Sequence, residues 1–227
     1  MILIEVLTAA GALEEEGRRR LGGRLIDAFM QGDTVDEVPA AHHAGEVAES
    51  ARALTQVLFH QPATWVLGGR GPADPADPPR YVVRISLPAP WRKDVSAEAI
   101  ERLTGAVAAF EAEEGRSADR VLCEPHAWVQ LLGVPEGSMG MLGRPFGSVD
   151  LIDHLTRPHR RAIGEAAATA DLPEGHVLDP VCGMVVDLAA TDLTLELDGT
   201  VHGFCHGQCR RVFADEHGVT VAGGAPA

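Results

Sequence analysis

The apolar positions of this chain change their spacing several times along its length. Residues 1–6 form a short apolar run, which predicts a strand, and over residues 12–30 Leu13, Leu21, Leu25, Ile26 and Phe29 recur at helical spacing. A polar stretch over residues 31–38 breaks that pattern. Residues 46–58 then read as a second helix, and residues 64–67 as a strand that stops at Gly68-Gly69. Residues 71–79, dominated by Pro, Asp, Ala and Gly, have the composition of a linker. After it the order returns: a strand over 81–87, an amphipathic helix over 96–111 opened by Ser96 with Glu98 in its first turn, and a strand over 120–132. Two β-α-β units in tandem are therefore expected.

Further on, Leu151, Ile152, Leu155 and Ile163 mark a closing helix over residues 150–167, followed by a linker at 166–176. Leu193, Leu195 and Leu197 then alternate with Thr194, Glu196 and Asp198, the period of a half-buried strand. Asp198-Gly199 is a strong hairpin turn signal, and 201–204 supplies the returning strand. Residues 205–217 read as a short helix ended by Gly218. The expected class is α+β, with a two-repeat domain over 1–165 and a small hairpin-and-helix module over 177–227.

Composition narrows the function classes. A hydrophobic content of 45% with 23% charged residues is that of an ordinary globular protein, and the 4% of aromatics leaves the core to Leu, Val, Ile and Ala. The formal charge of −14 opposes nonspecific binding to nucleic acid or anionic lipid, which needs clustered Lys and Arg. Two basic runs stand out. Arg18-Arg19-Arg20 follows Glu14-Glu15-Glu16 by four residues, the order that favours helical ion pairs, and the run over 157–161 is expected to decorate a helix end. No leader pattern and no run of the roughly 18–20 apolar residues a membrane span requires is present. A cytoplasmic location follows, where cysteines serve metal or thiol chemistry rather than disulfides.

Three of the 4 cysteines are spaced C-x22-C-x3-C, as Cys182, Cys205 and Cys209. A pair four residues apart projects both sulfurs from one face of a helical turn, and Cys182 can return from outside it to supply a third thiolate. Thiolates are soft ligands that suit Cu(I) and Zn(II) and poorly suit Mg(II) or Ca(II). A closed zinc site has four protein ligands, so the fourth is sought among His206, His202, Asp179 or another subunit. A position in the first turn of a helix should lower the pKa of Cys205 and Cys209. Met184 is either a soft auxiliary ligand or packing beneath the hairpin. Cys123 is expected in the core, and His42-His43 in a loop or at a helix start.

Two stretches carry family resemblances. Ile4-Glu5-Val6, the helix opening Ala12-Leu13-Glu14-Glu15-Glu16, and His126-Ala127-Trp128-Val129 through Val134-Pro135-Glu136-Gly137-Ser138-Met139-Gly140 with Gly143-Arg144 resemble the tautomerase superfamily of 4-oxalocrotonate tautomerase and its two-repeat relatives. That resemblance implies a trimer whose sheets extend across subunits, and an amino-terminal proline as general base. Here Ile2 follows Met1 and no proline precedes Pro39, so no catalytic residue is assigned. A primary amine with a pKa near 8 would be a weak substitute. Arg80, Arg84, His126 and Arg144 are the weaker candidates for contacting an acid substrate.

The second stretch, Asp179-Pro180-Val181-Cys182-Gly183-Met184 with Gly199, Phe204-Cys205, Cys209 and Phe213, resembles the YHS family of metal-associated domains, and its cysteine spacing is similar to the TRASH pattern. It departs from the family at Val201-His202-Gly203, where aromatic residues are usual. Together these readings predict a cytoplasmic homotrimer that binds, buffers or hands over copper or zinc, with a metal-delivery partner and without nucleic acid or membrane insertion. The alternative is a tautomerase or dehalogenase-like enzyme on small unsaturated acids with a structural zinc module.

Overall fold

The computed structural model describes residues 2–30, 42–68, 71–72 and 77–221. The polar stretch 31–38, Gly69 and the middle of the 71–79 linker lie outside the described residues. The chain divides into two compact units, Met1–Gly32 with Leu54–Val134, and Asp33–Ala53 with Pro135–Ala227.

The first unit is built on strands β1 (Ile2–Leu7), β2 (Thr55–His60), β5 (Tyr81–Pro88) and β6 (Ala127–Val134), in the spatial order β2-β1-β5-β6. β1 and β2 run parallel, β5 and β6 run parallel, and the two pairs join through an antiparallel β1·β5 ladder. Each parallel pair needs a crossover, which helices α1 (Glu15–Met30) and α3 (Arg92–Glu113) help to supply. The tandem β-α-β architecture expected from the sequence is present. Alternation along the strands explains the layers: Ile2, Ile4, Val6, Tyr81, Val83, Ile85 and Leu87 are buried with Leu21, Leu25, Leu103, Val107 and Phe110 from the helices. Each such aliphatic side chain contributes roughly 1.5–3 kcal/mol by leaving water. The other face carries Glu5, Leu7, Val82 and Arg84, with Leu58, Leu132 and Trp128 exposed, the last at 61%.

Several element boundaries differ from the sequence reading. The helix expected at 46–58 is α2 (His42–Ala53), and residues 55–58 belong to β2 instead. Alternation explains the switch, because Thr55, Val57 and Phe59 point one way while β2 lies in register with β1. The expected strand at 64–67 is the two-residue β3 (Val66–Leu67), paired with β4 (Gly71–Pro72) outside the main sheet. Helix α3 begins before Ser96, and 120–132 holds a short helix α4 (Asp119–Leu122) before β6. Arg120 on α4 reaches the buried Glu111, an interaction that local periodicity does not register. Of the expected helical ion pairs, Arg19–Glu15 forms, while Arg20 crosses from α1 to Glu114 at the end of α3.

The second unit contains α2, the hairpin β7 (Gly140–Met141) and β8 (Arg144–Pro145), helices α5 (Ser148–Thr156) and α6 (Arg160–Ala167), the hairpins β9 (His176–Leu178)/β10 (Val185–Asp187) and β11 (Thr194–Leu197)/β12 (Thr200–Gly203), and α7 (Gly207–His217). The single closing helix expected over 150–167 is broken in two at 157–159, where Pro158 lacks the N–H that would continue it. The Asp198-Gly199 turn forms as expected, with φ of 50° and 78°, and Gly218 ends α7 in the left-handed region at 64°.

Candidate metal centre

Two turns of the second unit bring the three sulfur donors of the sequence reading to one point. The first joins β9 to β10, where the Asp179 N–H donates to the Met184 carbonyl and the Gly183 N–H to the Asp179 carbonyl, each at 2.8 Å. Gly183 adopts φ 77°, a conformation that side-chain-bearing residues rarely take. The second turn lies between β12 and α7. Cys205 precedes that helix, His206 caps it by accepting from the Gln208 N–H at 3.5 Å, and Cys209 sits in its first turn.

Asp179 ties the two turns together. Its Oδ1 accepts from the Val181 N–H at 2.8 Å and the Cys182 N–H at 3.4 Å, and its Oδ2 accepts from the Cys205 N–H at 2.9 Å. The Cys182 and Cys205 sulfurs lie 3.4 Å apart, and those of Cys205 and Cys209 3.9 Å apart. One ligand atom from each of Asp179, Cys182, Cys205 and Cys209 falls within 4.8 Å of all the others, so this cluster can hold a metal ion. Asp179, Cys182 and Cys209 are buried and Cys205 is half-buried. Val181, Phe204, Val212 and Phe213 form the apolar floor, with Val47, Val149 and Ile152 packed against it. At Gly203 an added Cβ would lie 2.7 Å from Leu188 and 2.9 Å from Val177, so the strand can pass the β9/β10 hairpin only without a side chain.

The donor set fits a thiolate-bound ion. With a Zn–S bond of about 2.3 Å, a tetrahedral site has S···S edges of about 3.8 Å, which the two sulfur separations bracket. The protons of the cluster are shared unequally. Hydrogen bonds from Cys205 and Cys209 hold the Cys182 thiol well below its ordinary range, and the same interactions, joined by burial, push Cys205 and Cys209 up. At the latter two, the hydrogen bonds with neighbouring thiols and burial outweigh the expected lowering by the helix terminus. Burial, with the charge on Cys182, pushes the Asp179 carboxyl up to about 7 against the opposing Cys205 and Val181 amides.

The remaining candidates take other places. His202 packs at a tilt against Phe213 with ring centroids 4.8 Å apart, and burial lowers its pKa. His206 serves as the helix cap. Met184 is 41% exposed and contributes its carbonyl to the turn. Cys123, expected in the core, is exposed after α4, with Asp119 as its partner at 3.9 Å. His43 stands at the start of α2 and bonds Glu46 at 2.8 Å. The 157–161 run is ion-paired: Arg157 and Arg160 to Asp153, Arg160 also to Glu216 at 2.5 Å, and Arg161 to Glu165 at 2.9 Å.

The weaker substrate candidates are distributed over both units. Arg84 on the open face of the first unit's sheet donates to Gln130 at 3.2 Å, and with Glu5 and His60 lines a groove of about 520 Å³. Arg80 donates to the Pro125 carbonyl at 3.4 Å, and His126 lies 2.6 Å from an Arg120 nitrogen. Arg144 belongs to the second unit, where it lies over the Phe146 ring and 3.6 Å from Asp150. The sequence reading missed Glu111, fully buried in the first unit, whose carboxylate accepts from Tyr81 at 2.5 Å, Arg116 at 2.7 Å and Arg120 at 2.9 Å. One of three acids at the end of an amphipathic helix, beside Glu113 and Glu114, it gives no local signal of burial.

No protein-family profile matches the chain, and no curated protein sequence matches it. Among solved structures it is similar to a wild-type fused 4-OT described as a symmetric trimer, with 19% identity over 63% of this chain and 93% of the other, at a TM-score of 0.42. It is also similar to N1, a member of the cis-3-chloroacrylic acid dehalogenase family, with 16% identity over 72% and 99% of the two chains and a TM-score of 0.41. A macrophage migration inhibitory factor-like protein from Entamoeba histolytica is similar at 9% identity over 64% and 98%, also at 0.41. Among the described residues, no helix is long and apolar enough to cross a membrane.

Proposed function

We propose that this protein binds a soft metal ion, copper or zinc, through Cys182, Cys205 and Cys209, and buffers it or hands it to a partner. The observation that supports this most strongly is the convergence of those three sulfurs around Asp179 within 4.8 Å. Ionising all three thiols beside the Asp179 carboxyl in one buried cluster is costly, and a bound cation would remove that cost. Soft sulfur donors select Cu(I) and Zn(II) over hard ions. In this reading the 177–227 segment is a YHS-like module carried on a tautomerase-like scaffold in the cytoplasm. Metal analysis of full-length protein purified anaerobically without added metal tests the proposal. One copper or zinc per chain is expected, lost in each of Cys182→Ser, Cys205→Ser and Cys209→Ser, and unchanged binding in all three rejects it.

Self-assembly into a homotrimer belongs to the same proposal. Its support is the open sheet face, where Leu58, Leu132 and Trp128 are 44%, 43% and 61% exposed. Light scattering should give a trimer for the full chain and a smaller species for Trp128→Glu. A second reading, an enzyme acting on small unsaturated acids, has the Glu5, His60 and Arg84 groove in its favour. Against it stands Ile2 at the start of β1, where the resemblance calls for a proline base. Wild type is expected to be inert toward enol and unsaturated-acid substrates. Robust turnover that survives metal removal would promote the enzyme reading.

A further inference from the structure

Asp179 belongs to the cluster by distance, yet its hydrogen bonds assign it a different task from the cysteines. A carboxylate offers about four acceptor positions on its two oxygens. Three are engaged by backbone N–H groups, two from the Cys182 turn and one from the Cys205 turn, at 2.8, 3.4 and 2.9 Å. The residue is fully buried, so these amides replace its water shell. The bond to Cys205 spans 26 residues of sequence and links the hairpin that presents Cys182 to the turn that presents Cys205. The cysteine sulfurs lie 3.4 and 3.9 Å from one another, with the Cys182 and Cys205 side chains also interacting with the Asp179 carboxyl, and Cys205 is the half-buried member of the three.

We infer that Asp179 is a positioning residue that closes the two turns through backbone amides, and that a metal held by Cys182, Cys205 and Cys209 keeps one coordination position for an exogenous donor on the Cys205 side. This rests on the proposed three-thiolate site. Closed structural zinc sites have four protein ligands, whereas sites that exchange a ligand keep three and an open place. An open place is what transfer requires, since an incoming thiolate or imidazole can then bind before a resident thiolate leaves.

The test uses the full chain loaded anaerobically with one equivalent of Co(II), with imidazole as the exogenous donor. Thiolate-to-cobalt absorption bands establish the three-thiolate site, and their absence from wild type would reject the proposed function together with this inference. With the bands present, titration with imidazole should shift them saturably. Asp179→Asn keeps an oxygen for the Val181 and Cys182 amides but presents an NH₂ group to the Cys205 amide. It should weaken Co(II) binding roughly ten- to hundred-fold, as expected for losing a hydrogen bond to a charged acceptor. Its loaded spectrum and imidazole response should nevertheless match wild type. Bands unmoved by imidazole in wild type would mean that the fourth position is already filled and overturn the inference, and bands shifted by Asp179→Asn before any imidazole is added would make Asp179 a ligand and overturn it too. If the variant fails to fold, the wild-type titration alone decides.

Discussion

Among the described residues each unit buries one carboxylate completely, and the two are answered in different ways. In the first unit Glu111 meets the Arg116 and Arg120 guanidinium groups and the Tyr81 hydroxyl, so charge is balanced within the chain. In the second, Asp179 meets neutral backbone amides and lies beside three thiols. Both arrangements satisfy hydrogen bonding, but only the first supplies positive charge. Buried charge is tolerated when it is paired or coordinates a metal. Glu111 therefore reads as a closed structural network, and the Asp179 cluster as a site that a cation completes.

Removing the proposed metal ion is the largest perturbation this contrast predicts, because metal binding contributes roughly 10 kcal/mol or more to small thiolate modules. Chelation should bring amide-exchange protection over residues 176–217 close to that of an open chain, while β1, β5 and β6 keep theirs. Equal loss in both units would break the comparison. Next, Glu111→Ala leaves two guanidinium groups without their buried partner and should cost roughly 3–5 kcal/mol, read as a lower urea midpoint for the first unit. Metal content should not change. Within the second unit, Gly203→Ala forces a methyl into Leu188 and Val177 and should cost roughly 1–3 kcal/mol. Its signature is weaker metal affinity, since β12 leads directly into Cys205.

How much of this was legible in the sequence depends on how local each determinant is. The cysteine spacing, the Asp198-Gly199 turn and the Gly218 stop lie within short segments, and the structure forms both turn features as read. The strand at 55–60 was hidden because a single turn residue, Leu54, separates it from a helix, and its parallel partner lies more than 50 residues away. The β9/β10 hairpin was missed because three-residue strands give too short a period to recognise. Asp179 was visible as a nearby acid, but its bond to the Cys205 amide depends on how two turns meet. Glu111 was obscured for the same reason.

The smallest expected effect is the pH dependence that His126 gives the first unit. Burial, then the charges of Arg80 and Arg120, lower the pKa of His126, so the folded unit favours the neutral ring. The resulting stability is complete above the unfolded-state value of about 6.5 and is lost as the pH falls through it toward the folded value. Urea midpoints at pH 7.5 and 5 should differ less in His126→Gln than in wild type. An unchanged difference would remove His126 from the account.

The central claim is that three cysteines act together on one ion, and Cys123, exposed in the first unit, provides the internal control. Thiol alkylation followed by mass spectrometry tests it most directly on full-length protein, with one equivalent of Zn(II) or Cu(I) and again after chelation. The account predicts that the metal-loaded chain is labelled at Cys123 alone, and that chelation makes all 4 cysteines reactive. Labelling of Cys182, Cys205 and Cys209 that is indifferent to metal would contradict it.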